Sequence, residues 1–150
     1  MVTDINTYRR LLKANGPAGL EHLNQRVAHR YTGVYQLCDG SLRNLYLFDK
    51  RGEVRPEFLE VVPLADSFCQ FVLRDGVFLS DDSGKDKRLN GHKYQGALLA
   101  YHGVPLLNNR GELFGTLCHF DADSHQLSDG ELTYLHQAAR LLPAFMREAA

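Results

Sequence analysis

The sequence predicts an α+β domain: a central antiparallel sheet, terminal helices on one face, and a short helix with a long loop over the other. Three observations carry this expectation. Two pairs of strand-forming runs are each joined by a tight-turn sequence, and apolar residues recur at helical spacing at both chain ends. The stretch between the pairs is polar and long for a compact domain. Hairpins impose antiparallel pairing, and a sheet of this kind buries its apolar faces under helices or loops.

Ile5, Tyr8, Leu11 and Leu12 mark a first helix, and Asn15-Gly16-Pro17 ends it and starts a second, with Pro17 in a first-turn position. Leu20, Leu23 and Val27 extend that apolar stripe toward Tyr31, so helix is expected over about 4–30. Sheet and lid follow over about 33–121. Gly33–Cys38 and Asn44–Asp49 flank Asp39-Gly40-Ser41 as a hairpin. Phe58–Leu64 reads as a loop or irregular strand ending at Pro63. Ser67-Phe68-Cys69-Gln70 has the Ser-x-x-Gln spacing of a capping box, and Asp75-Gly76 stops the short helix that it opens. A strand is expected at Val77–Leu79, then a polar loop from Ser80 to Gly96. Leu98–Leu107 and Glu112–Phe120 form a second hairpin around Asn108-Asn109-Arg110-Gly111. Ser128-x-x-Glu131 opens a last helix over about 128–148, with Leu132, Leu135, Ala139, Leu142 and Met146 on one stripe.

The 150 residues suit one domain, 1–150. Hydrophobic residues at 44% and charged residues at 23% give enough core-forming side chains to argue against disorder. A formal charge of -1 argues against a nucleic-acid binder that relies on an overall basic field. No apolar run reaches the length of a membrane span, and Met1-Val2-Thr3-Asp4 lacks the character of a signal peptide. Cys38, Cys69 and Cys118 are odd in number and 31 and 49 residues apart, which is neither a disulfide framework nor a zinc spacing. A reducing cytoplasm is the expected location.

Tyr101-His102-Gly103-Val104-Pro105-Leu106, followed by Gly111-Glu112-Leu113-Phe114-Gly115-Thr116-Leu117-Cys118-His119-Phe120-Asp121, resembles the final hairpin of a GAF domain. Ser67-Phe68-Cys69, Gly76–Ser83 and Asp86-Lys87-Arg88 resemble the middle of the same fold. The resemblance runs from about Leu20 to the end and implies a GAF-like (profilin-like) sheet that holds a small molecule under its lid. His102 departs from the pattern, standing where an apolar residue is usual. No kinase, cyclase or transcription-factor domain accompanies the module, so it is expected to signal through a separate partner or to be an enzyme itself.

For the ligand, the residues singled out are Tyr35, Phe48, Ser67, Phe68, Cys69 and Tyr101. The free N–H groups of residues 67–69 at a helix start would form an anion cradle, unless Ser67 and Asp66 already cap them. The aromatics would wall the pocket. The leading reading is therefore a non-catalytic sensor of a small polar or anionic molecule, with binding ordering the Ser80–Gly96 loop. The resemblance also implies an enzymatic alternative, since one GAF branch reduces free methionine sulfoxide with cysteines close together in sequence. Cys69, at a helix start, is the candidate nucleophile for a thiol-dependent reductase of a small sulfoxide. Cys38 and Cys118 read as buried strand cysteines.

The seven histidines read as scattered, with no metal site among them. No cofactor is indicated, and a bilin would need a Cys-His pair that is absent. Ile5, Tyr8, Leu12, Leu135, Leu142, Phe145 and Met146 exceed what one sheet face needs, so a homodimer through the terminal helices is expected, or the two helical ends pack together within one chain. A third possibility is a dimerising scaffold with no ligand.

Overall fold

The computed structural model describes residues 5–149, with side chains as far as Met146. The Met1–Asp4 reading lies outside the described residues. Helices α1 (Ile5–Ala14) and α2 (Gly16–Gln25) are parted by the extended residue Asn15, with Pro17 in the first turn of α2. The apolar stripe suggested helix toward Tyr31, but α2 stops at Gln25. The Asn24 amide donates to the His29 carbonyl at 3.1 Å and to Thr32 Oγ1 at 2.8 Å. Those bonds fasten the intervening turn and free Tyr31 to begin a strand.

The sheet has six strands, all antiparallel, in the order β3-β2-β1-β6-β5-β4. β1 (Tyr31–Cys38) and β2 (Ser41–Asp49) meet at Cys38↔Ser41. Between them Asp39 (φ 50°) and Gly40 (φ 77°) both take the left-handed backbone that a two-residue type I′ turn requires. β3 (Val61–Pro63) turns the expected loop or irregular strand into a sixth strand at the sheet edge, where a proline opposite Ser41 is tolerated. α3 (Cys69–Asp75) ends at Gly76, whose φ of 85° suits glycine alone, and β4 (Phe78–Ser80) follows. β5 (Ala100–Leu107), β6 (Leu113–Asp121) and α4 (Asp129–Ala149) complete the chain. Ser128 Oγ accepts the Glu131 N–H as a capping box would. The Glu131 carboxylate, however, accepts from Nε and Nη2 of Arg26 at 2.9 and 2.8 Å instead of reaching back to the cap.

The loop from Ser80 to Gly96 is packed into place. It carries two 3-10 turns, and Ser83 and Leu89 within it are buried. Ser83 Oγ donates to the Leu98 carbonyl and accepts from the Gly96 N–H. These bonds tie the loop to itself and to the segment before β5.

Two apolar layers flank the sheet. α1, α2 and α4 cover one face, with Tyr8, Leu12, Leu135 and Leu142 against Val34, Val104 and Leu117. Ile5, Phe145 and Met146 pack partly onto the same cluster, so the helix residues behind the expectation of pairing are engaged within the chain. The exposed large apolar side chains among the described residues are elsewhere: Leu37, Val54, Phe58, Val61, Leu107 and Leu113. Phe48 also packs on the helix face, on the side away from the lid. Its assignment to the ligand pocket is corrected here, because its strand position points it under the helices. Among the described residues, no helix is long and apolar enough to cross a membrane.

Candidate thiol site under the lid

Strand alternation builds the floor of the site. Cys118 on β6 stands opposite Gly33 on β1 and Gly103 on β5. With no side chain on either flank, the row leaves a trough. The Tyr101 ring leans into it so closely that a Cβ on Gly103 would lie 2.7 Å from the ring. Tyr35 and Phe120 wall the trough, and Tyr35 donates its hydroxyl to the Leu59 carbonyl at 3.0 Å, tying sheet to lid. The roof is Ser67, Phe68 and Cys69 together with Leu59, Val62, Tyr94 and Leu98. Between floor and roof lies a cavity of about 40 Å³, with half-exposed Phe58 and half-buried Tyr94 and Leu98 at its rim. No charged residue lines it.

Cys69 sulfur is the focus of the polar groups. It accepts the Tyr101 hydroxyl at 3.0 Å and the Thr116 hydroxyl at 3.2 Å. Ser67 Oγ accepts the Cys69 N–H at 2.9 Å, and its own hydroxyl hydrogen remains to be given to the sulfur. The Cys118 thiol lines the same cavity and donates to the Gly33 carbonyl at 3.7 Å. Burial alone would raise the Cys69 pKa; the neighbouring Cys118, Ser67, Thr116 and Tyr101 outweigh it and hold the thiol below its ordinary value. Cys118 moves the opposite way, raised by burial and by the sulfur of Cys69 beside it. Tyr101 is likewise held protonated, raised by burial and by the two sulfurs. Of the two thiols, Cys69 is therefore the one whose surroundings favour loss of its proton, and Cys118 the one that keeps it. The two cysteines are 49 residues apart in sequence yet share one cavity; Cys118 is a buried strand cysteine, as expected, whereas Cys38 is only half-buried. Cys38 is at the β1–β2 turn, away from both.

Of the residues singled out from sequence, Tyr35, Ser67, Phe68, Cys69 and Tyr101 line the cavity and Phe48 does not. The expected anion cradle is largely spent: the Ser67 N–H goes to the Leu64 carbonyl and the Cys69 N–H to Ser67 Oγ. The capping box is altered too. Ser67 lies one residue before the N-cap, Phe68, and Gln70 donates its amide to the Ser67 and Ala65 carbonyls. Cys118, Thr116, Gly33 and Gly103 were missed. With Tyr101 taken as pocket-facing, alternation along β5 and the hairpin register would also have put Gly103 and Cys118 beside it.

A second polar cluster lies on the helix face, where the sequence suggested scattered histidines. His29, His102 and His119 are buried there. His102 Nε2 lies 2.8 Å from Asp81 Oδ1, and His102 Nδ1 lies 2.8 Å from His29 Nε2. If His102 gives its one proton to Asp81, as a neutral ring beside a carboxylate does, His29 must donate from Nε2. That leaves His29 Nδ1 as a buried acceptor with no partner. His119 Nδ1 lies 2.6 Å from Thr32 Oγ1, which Asn24 also engages, and Lys50 bonds to Asn24 in turn. Among the described residues, no group of His, Cys, Asp and Glu is arranged to hold a metal.

No family model matches the chain, and no curated protein matches it. Solved structures do. The GAF domain of a phosphoenolpyruvate-protein phosphotransferase from Coxiella burnetii aligns with a TM-score of 0.73 at 14% identity, over 97% of this chain and 91% of that one. The chain has the GAF-domain fold. Two enzymes share this GAF fold. Type II free methionine-R-sulfoxide reductase from Thermoplasma acidophilum aligns at 0.70 and 17% identity, over 97% of this chain and 96% of that one. The substrate complex of free methionine-R-sulfoxide reductase from Neisseria meningitidis aligns at 0.68 and 17%, over 100% and 96%.

Proposed function

We propose that this GAF-fold chain is a sensory domain whose guest site is the cavity around Cys69, and that the guest is a small uncharged molecule. The observation that carries the reading is the cavity itself, roofed by Leu59, Val62 and residues 67–69 with Tyr94 and Leu98, and lined by hydroxyl and thiol groups with no Lys, Arg, His, Asp or Glu among them. That lining moves the expectation from an anionic toward a neutral polar ligand. At about 40 Å³ the cavity has room for roughly two or three water molecules. Anything larger must displace the lid, so its differential affinity for the opened form is what would be transmitted. A thermal-shift series with small neutral amides, alcohols and sulfoxides tests this. A binder at 100 times its Kd should stabilise by about 2.7 kcal/mol. Leu98→Trp, which fills the rim, should abolish the response. An unresponsive parent, or an equal response from Leu98→Trp, would refute the site.

The contact between Cys69 and Cys118 favours a second reading, a thiol-dependent reductase of a small sulfoxide. Attack by the Cys69 thiolate on sulfur and resolution by Cys118 need the two thiols in one cavity. With a dithiol reductant present, a dialkyl sulfoxide and free methionine sulfoxide should then be consumed, and Cys69→Ser should lose turnover. No consumption by the parent eliminates the reading.

A further inference from the structure

We propose that Cys69 and Cys118 are a hydroperoxide-reactive pair that closes into a reversible disulfide inside the cavity. The inference rests on the reading that the cavity admits small uncharged molecules, and it names the class of guest. Three features point to it. The cavity suits a molecule of solvent size, and hydrogen peroxide is little larger than water. No basic side chain lines it to hold the carboxylate of an amino acid. The Tyr101 and Thr116 hydroxyls, both on Cys69 sulfur, also lie where they can donate to an oxygen arriving there.

The chemistry balances as two steps. Cys69 sulfur attacks one peroxide oxygen; an S–O bond forms, the O–O bond breaks, and the departing oxygen leaves as water after taking a proton from solvent. Cys69 is then a sulfenic acid. Cys118 sulfur attacks the sulfenic sulfur; the S–S bond forms, the S–O bond breaks, and the hydroxyl leaves as water with the Cys118 proton. Two electrons pass from the two sulfurs to one peroxide, and a dithiol reductant restores both thiols. An S–S bond is about 2.05 Å long. Closing it draws the start of α3 toward β6 and removes the hydroxyl donors from Cys69, so oxidation reshapes the roof of the cavity.

The test uses the full chain at pH 7 with one equivalent of hydrogen peroxide. The thiol count under denaturing conditions should fall from three to one. Peptide mapping without reduction should link residues 69 and 118, leave Cys38 free, and show reversal by dithiothreitol. Tyr101→Phe keeps both cysteines but removes a donor, so the midpoint of its rate–pH profile should move up. A rise of one unit slows reaction well below the midpoint roughly tenfold. Three thiols surviving an excess of peroxide, oxidation confined to Cys38, or a sulfinic acid at Cys69 with Cys118 still free would each overturn the proposal. Thermal-shift response to neutral solutes, measured in parallel on Cys118→Ser, separates the two ideas. If that response persists while peroxide leaves the parent untouched, the cavity reading stands and the redox proposal falls.

Discussion

Acidification from pH 7 to pH 5 should destabilise the protein steeply, well above the range where carboxylates titrate. The cause is the buried histidine cluster on the helix face. His29 is held neutral down to about pH 3, first by burial and then by His102 and His125 beside it, against a weaker pull from Asp121. His102 is lowered by burial, partly offset by its bond to Asp81. His119 is lowered well below its ordinary value by burial, with His29, His102 and Lys50 adding to it. In the unfolded chain each of these rings takes a proton near pH 6.5. Between about pH 6.5 and 3 the unfolded state therefore binds more protons than the folded one, and stability falls as pH falls.

The magnitude follows from His29 alone. At pH 5 an unfolded histidine is about 1.5 units below its pKa, which costs the folded state about 2 kcal/mol. For a chain of this size that lowers the melting midpoint by about 4–8 °C. His102 and His119 act with the same sign and add to it. Thermal unfolding followed between pH 7 and 5 measures the slope, and His29→Gln should flatten it by close to one proton even if it lowers stability at pH 7. A midpoint that stays constant from pH 7 to 5 would show that the cluster takes up protons without strain.

The same cluster shows where sequence reading ends. Periodicity is a local signal, and it located the hairpins, the terminal helices and the stop at Gly76 because each depends on residues within a few positions. Tyr35 and Tyr101 were reached as aromatics on expected strands that would wall a pocket. His29, His102 and His119 come from a loop and two strands, and only the β1–β6–β5 register brings them together. No spacing announces that. Cys69 and Cys118 were obscured for the same reason, with the added difficulty that one of them begins a helix. Phe48 was misassigned because aromatic character does not reveal which face of a strand is which. The stretch at 61–63 is too short for a periodic signal; its pairing with Ser41–Arg43 makes it a strand.

Gly115→Ala should be among the most damaging single substitutions in the chain, and the reason connects the fold to the cavity. Gly115 follows an irregularity in the β5–β6 pairing, where Leu106 faces Gly115 but Leu107 faces Leu113. Across the other edge, β1 and β2 slip between Val34 and Tyr35. Irregularities of this kind increase local twist. Here the Tyr35 carbonyl comes so close that a Cβ on Gly115 would stand 2.1 Å from its oxygen. The obstructing atom is backbone in a central strand, so no rotamer change relieves it. Overpacking commonly costs 1–3 kcal/mol, and this contact should cost about 3 kcal/mol or more, lowering the melting midpoint by roughly 6–12 °C. Gly130→Ala, in the first turn of α4 with only Ser128 Oγ at 4.0 Å, should be neutral or slightly stabilising under the same conditions. Relief of the clash must push Tyr35 away from β6 or shift Thr116, the next residue, which donates to Cys69. Folded Gly115→Ala should therefore also show altered Cys69 reactivity toward an alkylating agent. Unchanged stability in this variant would mean that β1 and β6 are not in this register, and the trough between Gly33, Cys118 and Gly103 would go with it.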